Sequence, residues 1–385
     1  MAAELFAEGA LDFSETREEV LRARHLPGRF YTSQEILDLE IERIFMKDWL
    51  CVGRVEQYEN PGDYRAFRIA GEPVLICRAR DGSLNAFANV CAHRGVEIIQ
   101  GNGNAEQFVC PYHAWTYGID GRLKTAPHNR EVQGFDWKKC GLPKLQLDSW
   151  AGYLFINFDP SAASLREFLT PERIEACAFL RAEDTRVASE FTLEVPCNWK
   201  FVPENVADMY HVAVVHGDSF GKDFKLSDFN WELDERGYYA EYRCMTHSPG
   251  GAWLFGKAMP WLEGAPELFA WTAFSPPNLT QFARPDTLQN LIAYPLAPDR
   301  TLVTVMTQYP AEWFDEPGFS ERVQINEDFL KLILAEDNGM LRSLQNGVGS
   351  RHFRPGPTMG PEKGIHHLLN NYLDRMFGEG STQTT

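Results

Sequence analysis

The pattern of hydrophobic and polar positions changes twice along this chain, and the changes divide it into three stretches. In the first, residues 15–50, TSQEILDLEIERIF sets Leu, Ile and Phe at helical spacing behind an N-cap at Thr32 or Ser33, so the whole stretch is expected to be helical. From about 51 to 157 the pattern is that of β structure. YRAFRI, PVLICRA and AGYLFINF are short strand-forming runs, and Asp81-Gly82 and Asp120-Gly121 read as hairpin turns. From about 158 onward the pattern is mixed. SLREFLTPERIEACAF, ENVADMYHVAVVH and QINEDFLKLILAEDNGMLRSLQNG read as helices. FTLEVPCNW reads as a strand, and LQNLIAYPLAP and TLVTVMTQYP as a strand pair. The tail GEGSTQTT is expected to fray. There is no internal repeat and no low-complexity linker.

Composition narrows the class. A chain of 385 residues exceeds one ordinary domain, and two are expected. It is 44% hydrophobic and 13% aromatic, enough for sizeable cores. A net charge of −17 argues against nucleic acid as a partner. Glu4 and Glu8 stand where a signal peptide needs positive charge, and no apolar run reaches the roughly 18 residues of a membrane span. A soluble, cytoplasmic protein is therefore expected, with no membrane partner. Eight cysteines scattered over so long a chain do not form a secreted disulfide framework, so a local Cys/His cluster reads as a metal site.

Such a cluster lies in CAHRGVEIIQGNGNAEQFVCPYHAW, residues 91–115. It holds Cys91-Ala-His93 and, sixteen residues later, Cys110-Pro-Tyr-His113. Zinc fingers group their two cysteines and their two histidines separately. Here each pair is mixed, which suits a [2Fe–2S] cluster with one iron held by two thiolates and the other by two imidazoles. Neutral imidazoles make such a cluster less negative and easier to reduce. These residues resemble the Rieske family. The extra cysteines of respiratory-chain members are replaced by Val96 and Tyr112, so the loops resemble those of ring-hydroxylating oxygenases and Rieske ferredoxins. A ferredoxin would end after about a hundred residues; this chain continues.

The second motif is NWKFVPENVADMYHVAVVHGD, residues 198–218. His211 and His216 are five apart, about 140° on an ideal helix, so the chain must bend or end its helix between them if both bind one ion. Asp208, three residues before His211, shares its face of a helix. Neither an i, i+4 histidine pair nor the glutamate of zinc proteases is present. The plain alternative is a pair of ordinary histidines near a helix end. Glu204, Asn205, Asp208, Tyr210, His211 and His216 resemble the E-N-x-x-D-x-Y-H-x-x-x-x-H pattern of oxygenase α subunits.

The resemblance to Rieske non-haem iron oxygenases implies an α+β fold. An antiparallel β Rieske domain, residues 46–157, would be inserted into a catalytic domain made of the N-terminal helical part, 1–45, and residues 158–385, with a central antiparallel sheet and helices. Cys91, His93, Cys110 and His113 would hold the [2Fe–2S] cluster. His211, His216 and one carboxylate would hold a mononuclear Fe(II) as a facial triad. Asp337 precedes Gln345 by the eight residues that the family keeps, with Glu336 as the alternative. Asn205 would support the ligands without binding iron. Asp208 would bridge electron transfer between subunits, touching His211 and the neighbouring subunit's cluster histidine, the equivalent of His113.

No dinucleotide fingerprint is present, so electrons would come from a separate NAD(P)H-dependent reductase, with or without a ferredoxin. A homotrimer is implied, with or without a small β subunit. The expected activity is hydroxylation, dihydroxylation or oxidative demethylation of a small organic substrate with O2. An aromatic compound is the expected substrate, a quaternary or methylated amine the alternative. A Rieske electron carrier without oxygenase activity is the reading from another class, opposed by the second histidine motif. Trp253, Phe255, Trp261, Phe269, Trp271 and Phe274 could line a pocket or cage an ammonium group, although packing in a core is the commoner use.

Overall fold

The computed structural model describes residues 11–222 and 224–383. Glu4 and Glu8, on which the signal-peptide argument rests, lie outside them, as do Thr384 and Thr385 of the tail. The chain forms two compact units. One runs from Met46 to Leu165; the other combines the described residues up to Phe45 with those from Arg166 on.

The stretch read as one helical region is broken into short pieces. A 3₁₀ turn, Ser14–Arg17, is followed by α1 (Arg29–Thr32), α2 (Gln34–Glu40) and a π turn, Ile41–Phe45. Pro27 cannot continue a helix, and Gly28 lies so close to the Val348 carbonyl that a Cβ would sit 2.2 Å from its oxygen. Ser33 is the N-cap of α2: its backbone is extended and its hydroxyl accepts from the Ile36 amide. Glu40 ends α2 fully buried. Its carboxylate receives the Lys200 ammonium at 2.5 Å, the Trp199 indole at 2.6 Å and the Tyr372 hydroxyl at 2.6 Å. Burial holds the Lys200 ammonium below its ordinary pKa, with Glu40 opposing. Three donors on one carboxylate offset the desolvation cost of burying this pair.

The contiguous unit is built from β1 (Leu50–Arg54), β2 (Asp63–Ile69), β3 (Glu72–Arg78), β4 (Leu84–Ala88), β5 (Gly101–Asn104), β6 (Gln107–Val109), β7 (Thr116–Gly118), β8 (Leu123–Thr125), β9 (Lys144–Trp150) and β10 (Tyr153–Asn157). Seven strands form one antiparallel sheet in the order β1-β10-β9-β4-β3-β2-β5, and β6-β7-β8 form a second. The Asp120-Gly121 turn joins β7 to β8. Gly121 has φ +78°, and a Cβ there would meet the Phe87 ring at 2.3 Å, so conformation and space both require glycine.

The other unit continues with α3 (Leu165–Leu169) and α4 (Pro171–Ala178). Thr170, at φ 62°, separates them and caps α4 through its hydroxyl, so the run expected as one helix is two. Its sheet contains β11 (Thr185–Val195), β12 (Asn230–Leu233), β13 (Tyr238–Arg243), β14 (Phe269–Ser275), β15 (Leu279–Arg284), β16 (Thr287–Ala297) and β17 (Arg300–Pro310). All seven pair antiparallel in the order β11-β17-β16-β15-β14-β13-β12. The helices α5 (Phe201–Ala207), α6 (Val212–Val215), α7 (Phe319–Val348) and α8 (Lys363–Phe377) complete it. This is the α+β arrangement expected.

Helix α7 packs against β11, α1 and α5. Its inward stripe is Val323, Asn326, Leu330, Ile333, Asp337, Leu341, Gln345 and Val348, an apolar helical face interrupted by one acid and two amides. Helix α8 closes the unit over the N-terminal segment. Tyr372 reaches Glu40, Arg43 donates to the Met376 carbonyl, and the Phe377 ring lies 5.3 Å from that of Phe13. The tail does not fray through its described part. Phe13 N–H donates to Thr382 O, and the Arg17 guanidinium donates to Ser381 O. Among the described residues, no helix is long and apolar enough to cross a membrane.

Candidate metal centres

The first centre is made by two loops with the same backbone design. In one, between β4 and β5, Cys91 N–H donates to Val96 O and Gly95 N–H to Cys91 O. In the other, between β6 and β7, Cys110 N–H donates to Trp115 O and Ala114 N–H to Cys110 O. The fourth residue after each cysteine, Gly95 or Ala114, has a left-handed backbone. Each loop thus turns back on its cysteine and sends its histidine outward. Cys91 and Cys110 are buried among Phe87, Ile98, Phe108 and Tyr117, whereas His93 is exposed.

The His93 and His113 Nδ1 atoms face each other at 3.1 Å. Two nitrogens presented to the same point, with two buried thiols behind them, form a donor set that fits a [2Fe–2S] cluster with its histidine iron outermost. The Tyr117 hydroxyl, accepting from Ala92 N–H, lies 3.2 Å from Cys91 Sγ and can donate to a thiolate there. Tyr117 carries no signal in the sequence, because any aromatic would suit a β-hairpin core.

The second centre assembles from α5, α6 and α7. The ENVADMYHVAVVH stretch is not one helix. It breaks at Asp208 (φ −87°, ψ 83°), the C-cap of α5, and resumes for one turn in α6. His211 and His216 are the N-cap and C-cap of that turn; His211 keeps right-handed helical dihedrals (φ −74°, ψ −23°), whereas His216 leaves them (φ −104°, ψ 17°), and the two side chains swing to a common point. The expected bend therefore falls before His211 and at His216, and Asp208 does not share a helix with His211. Asp208 reaches it nonetheless. Its Oδ1 accepts from Tyr210 N–H, which folds the break into a tight turn, and its Oδ2 lies 3.4 Å from His211 Nδ1.

The imidazole Nε2 atoms converge on Asp337. Its Oδ1 lies 3.1 Å from His216 Nε2 and 3.6 Å from His211 Nε2, and this buried oxygen has no hydrogen-bond partner. The ligand atoms of these three residues lie within 4.8 Å of one another. Two imidazoles and one carboxylate, with an orphaned oxygen among them, fit a ferrous ion that keeps positions open for O2. Glu336 points elsewhere. Its Oε2 lies 2.7 Å from His216 Nδ1 and accepts from the Ser219 hydroxyl. Consecutive helical residues point about 100° apart, so only one of the two acids can face the ion.

Burial lowers the His216 pKa, but the Asp337 and Glu336 carboxylates outweigh it, and the imidazole stands above its ordinary value. Each histidine thus meets one carboxylate at Nδ1 and a shared one at Nε2. Glu204 turns away from this centre to the Tyr31 hydroxyl at 3.0 Å, and burial pushes its pKa up to about 7. Gln345 accepts from Asn198 N–H and donates to Tyr31 O, tying α7 to the start of α5.

A cavity opens at these three residues, with about 970 Å³ of empty space including its mouth. Leu193, Val195, Leu291, Val303, Val305 and Leu330 are among the apolar residues of its wall, and Asn205 lines it from α5. The rings on it are Phe220, Tyr242 and Phe282. None of the six aromatic residues noted between 253 and 274 is on it. They pack elsewhere, Phe255 against Tyr309 and Trp313, Trp271 and Phe269 against Phe179. Arg284, His247 and Gln289 form a polar part of the wall that no motif or periodicity announces.

Residues 182–378 match the family model for the catalytic domain of the ring hydroxylating alpha subunit, and residues 48–136 match that of the Rieske [2Fe-2S] domain. The carnitine monooxygenase oxygenase subunit of Escherichia coli K12 is 30% identical, over 91% of this chain and 93% of its own. The chloroplastic choline monooxygenase of Beta vulgaris is 29% identical, over 89% of this chain and 75% of its own. Among solved structures, a quaternary ammonium Rieske monooxygenase, studied for carnitine oxidation and inter-subunit electron transfer, superposes with a TM-score of 0.80 at 25% identity. It covers 96% of this chain and 98% of its own.

Proposed function

From the premise that this chain belongs to the Rieske non-haem iron oxygenases, an oxidoreductase family whose members carry a [2Fe–2S] cluster and a mononuclear iron, we propose that it is the oxygenase component of a monooxygenase acting on a methylated ammonium compound. The observation that carries this reading is the shared kinship with enzymes of carnitine and choline, both trimethylammonium compounds. The aromatic substrate expected from the sequence gives way to the alternative. None of the rings that suggested it lines the cavity, and the relatives named act on quaternary amines. A pure electron carrier is set aside by the catalytic domain itself.

In this reading Cys91, His93, Cys110 and His113 hold the cluster, and His211, His216 and Asp337 hold the iron. When bound, the cluster supplies electrons singly and the iron supplies the activation of O2. The chain's own residues set the conditions. Glu336 accepts the Nδ1 proton of His216, which fixes the tautomer that leaves its Nε2 lone pair free for the metal. Asp208 Oδ2, 3.4 Å from His211 Nδ1 and not hydrogen-bonded to it, favours the same tautomer there by its charge. The apolar wall keeps water from the reacting carbon, and Asn205 closes it from α5. Asp208 keeps 27% of its side chain exposed, an edge that a cluster histidine of a neighbouring subunit could reach. We take it as the intersubunit bridge, in a homotrimer served by a separate NAD(P)H-dependent reductase.

The test is turnover by the metal-loaded protein with a reductase and NADH. Trimethylammonium compounds should give O2 consumption matched by product. Matched turnover of aromatic acids or hydrocarbons, with none on ammonium compounds, would overturn the substrate reading.

A further inference from the structure

The polar part of the cavity wall contains a buried cation that makes no ion pair among the described residues, although the Asp286 carboxylate lies near enough to feel its charge. Arg284, at the end of β15, is 1% exposed. Its Nε donates to Met245 O, Nη1 to Ala283 O, and Nη2 to both the Tyr242 hydroxyl and His247 Nε2. Every one of these acceptors is neutral. His247 is held neutral from both sides, since Nε2 accepts from Arg284 while Nδ1 donates to Gln289 Oε1 at 2.7 Å. Among the described residues, no carboxylate lies within ion-pair distance of the guanidinium. Asp286, two residues on, is occupied by the Thr246 hydroxyl and Leu254 N–H.

Burying an unpaired ion costs several kcal/mol, and an acceptor set of carbonyls, a phenol and an imidazole orients the charge without cancelling it. Four of the five guanidinium N–H groups are committed by these bonds. One Nη1 N–H remains. The Tyr242 hydroxyl, an acceptor from Arg284, keeps its own proton to give. Both residues line the cavity. A path of ring contacts joins this corner to the iron ligands: His216 to Phe220 at 4.6 Å, and Phe220 to His247 at 4.8 Å. The guanidinium therefore stands two rings, Phe220 and His247, beyond the metal-binding histidine, at the range of a small molecule's far end.

We propose that Arg284 and the Tyr242 hydroxyl form a carboxylate subsite, and that the substrate is a methylated amine carrying a carboxylate, a betaine and not an amino alcohol. This rests on the proposed use of the cavity for a methylated ammonium compound, and it adds the second charged group that the substrate must carry. A carboxylate entering the apolar cavity meets the charge it needs, and a neutral alcohol leaves Arg284 uncompensated. The preference is thereby built from the penalty on the wrong substrate as well as from the bond to the right one.

Binding to the metal-loaded protein, measured by titration calorimetry without turnover, tests it. Probes are glycine betaine and 4-(trimethylammonio)butanoate, each with its primary amide, which removes the carboxylate charge. Each is also matched with its carbon isostere, 3,3-dimethylbutanoate or 5,5-dimethylhexanoate, which removes the ammonium charge. The wild-type protein should bind at least one of the two betaines roughly 10–100-fold tighter than its amide, the range of a charge-assisted hydrogen bond. Arg284→Gln should bring that ratio to about one, whatever it does to the absolute affinity for the amide, a split that a merely structural role would not give. Equal binding of betaine and amide by the wild type overturns the subsite while leaving the ammonium reading standing, and needs no variant to fold. If an isostere binds as tightly as its betaine, the ammonium reading fails and the carboxylate subsite survives. A betaine-to-amide ratio that Arg284→Gln leaves intact also overturns the assignment.

Discussion

The two centres contrast in how the chain makes them. The Rieske loops lie within 23 consecutive residues, and their histidines stand at the surface on turns fixed by backbone hydrogen bonds. The iron centre draws on residues from 208 to 337, sits behind an apolar wall, and has His216 only 2% exposed. One is a local motif at the surface. The other is a buried corner that three helices must agree to build. A local site tolerates changes in the surrounding core. A dispersed site depends on each helix keeping its register.

The contrast is tested most severely at Asp337. Asp337→Ala should abolish iron binding at that centre and all product, while the cluster keeps its absorption and paramagnetic spectra; metal analysis and the two spectra decide. Loss of the cluster as well would break the comparison, since the centres would then not be independent. Glu336→Gln sharpens it. Removing the carboxylate at His216 Nδ1 should cost about 10- to 100-fold in iron affinity or rate without abolishing either. If Glu336→Gln loses all iron and Asp337→Ala does not, the ligand assignment is reversed.

Asp208→Asn should leave both centres filled and the cluster chemically reducible. Rapid-mixing oxidation of the pre-reduced cluster with O2 and substrate should be slowed by about 100-fold or more, because the charge beside His211 Nδ1 is gone. Wild-type transfer rates in a fully loaded variant would reduce Asp208 to local support.

A smaller effect comes from Glu204. Burial raises its pKa from 4.5 to about 7, so the unfolded state ionises first as pH rises. Its contribution is fully present below about 4.5 and is lost as pH rises through about 7, by up to about 3 kcal/mol. Thermal unfolding of Glu204→Gln should show a flatter dependence over that window than the wild type. The smallest change is expected at the exposed centre. Tyr117→Phe removes the donor beside Cys91 and should lower the cluster potential by a few tens of millivolts, about the worth of one hydrogen bond. Direct electrochemistry reads it.

This contrast also governs what could be read from the sequence. Cys91, His93, Cys110 and His113 were legible because a local motif writes its geometry into spacing. His211 and His216 were legible as a pair, but the helix supposed to carry them was not. Nothing in ENVADMYHV announces that Asp208 will leave helical geometry and cap a turn with the Tyr210 amide. Asp337 could have been separated from Glu336 by register alone, since only Asp337 falls in line with Leu330, Ile333 and Leu341. Strands β2, β3, β10, β11, β16 and β17 were visible as strand-forming runs, whereas the other strands, β12 to β15 among them, were not, and α1, α2 and the π turn were hidden in one amphipathic pattern. Arg284 gave no sign. It lies on a strand buried on both faces, where neither alternation nor propensity marks a charged residue as facing a cavity.

The closing of one unit by α8 has a consequence for synthesis. The partners of the N-terminal segment, Tyr372, Met376 and Phe377, belong to the last helix, so Phe13, Glu40 and Arg43 wait for them while the rest of the chain is made. At roughly 5–20 residues per second that interval is on the order of tens of seconds. The contiguous β unit emerges complete within it and can fold on the ribosome. The iron centre cannot form until its three helices are out. A chain stalled or cut before α8 would carry the parts for a cluster beside an N-terminal segment with apolar side chains exposed, the kind of intermediate that chaperones must hold.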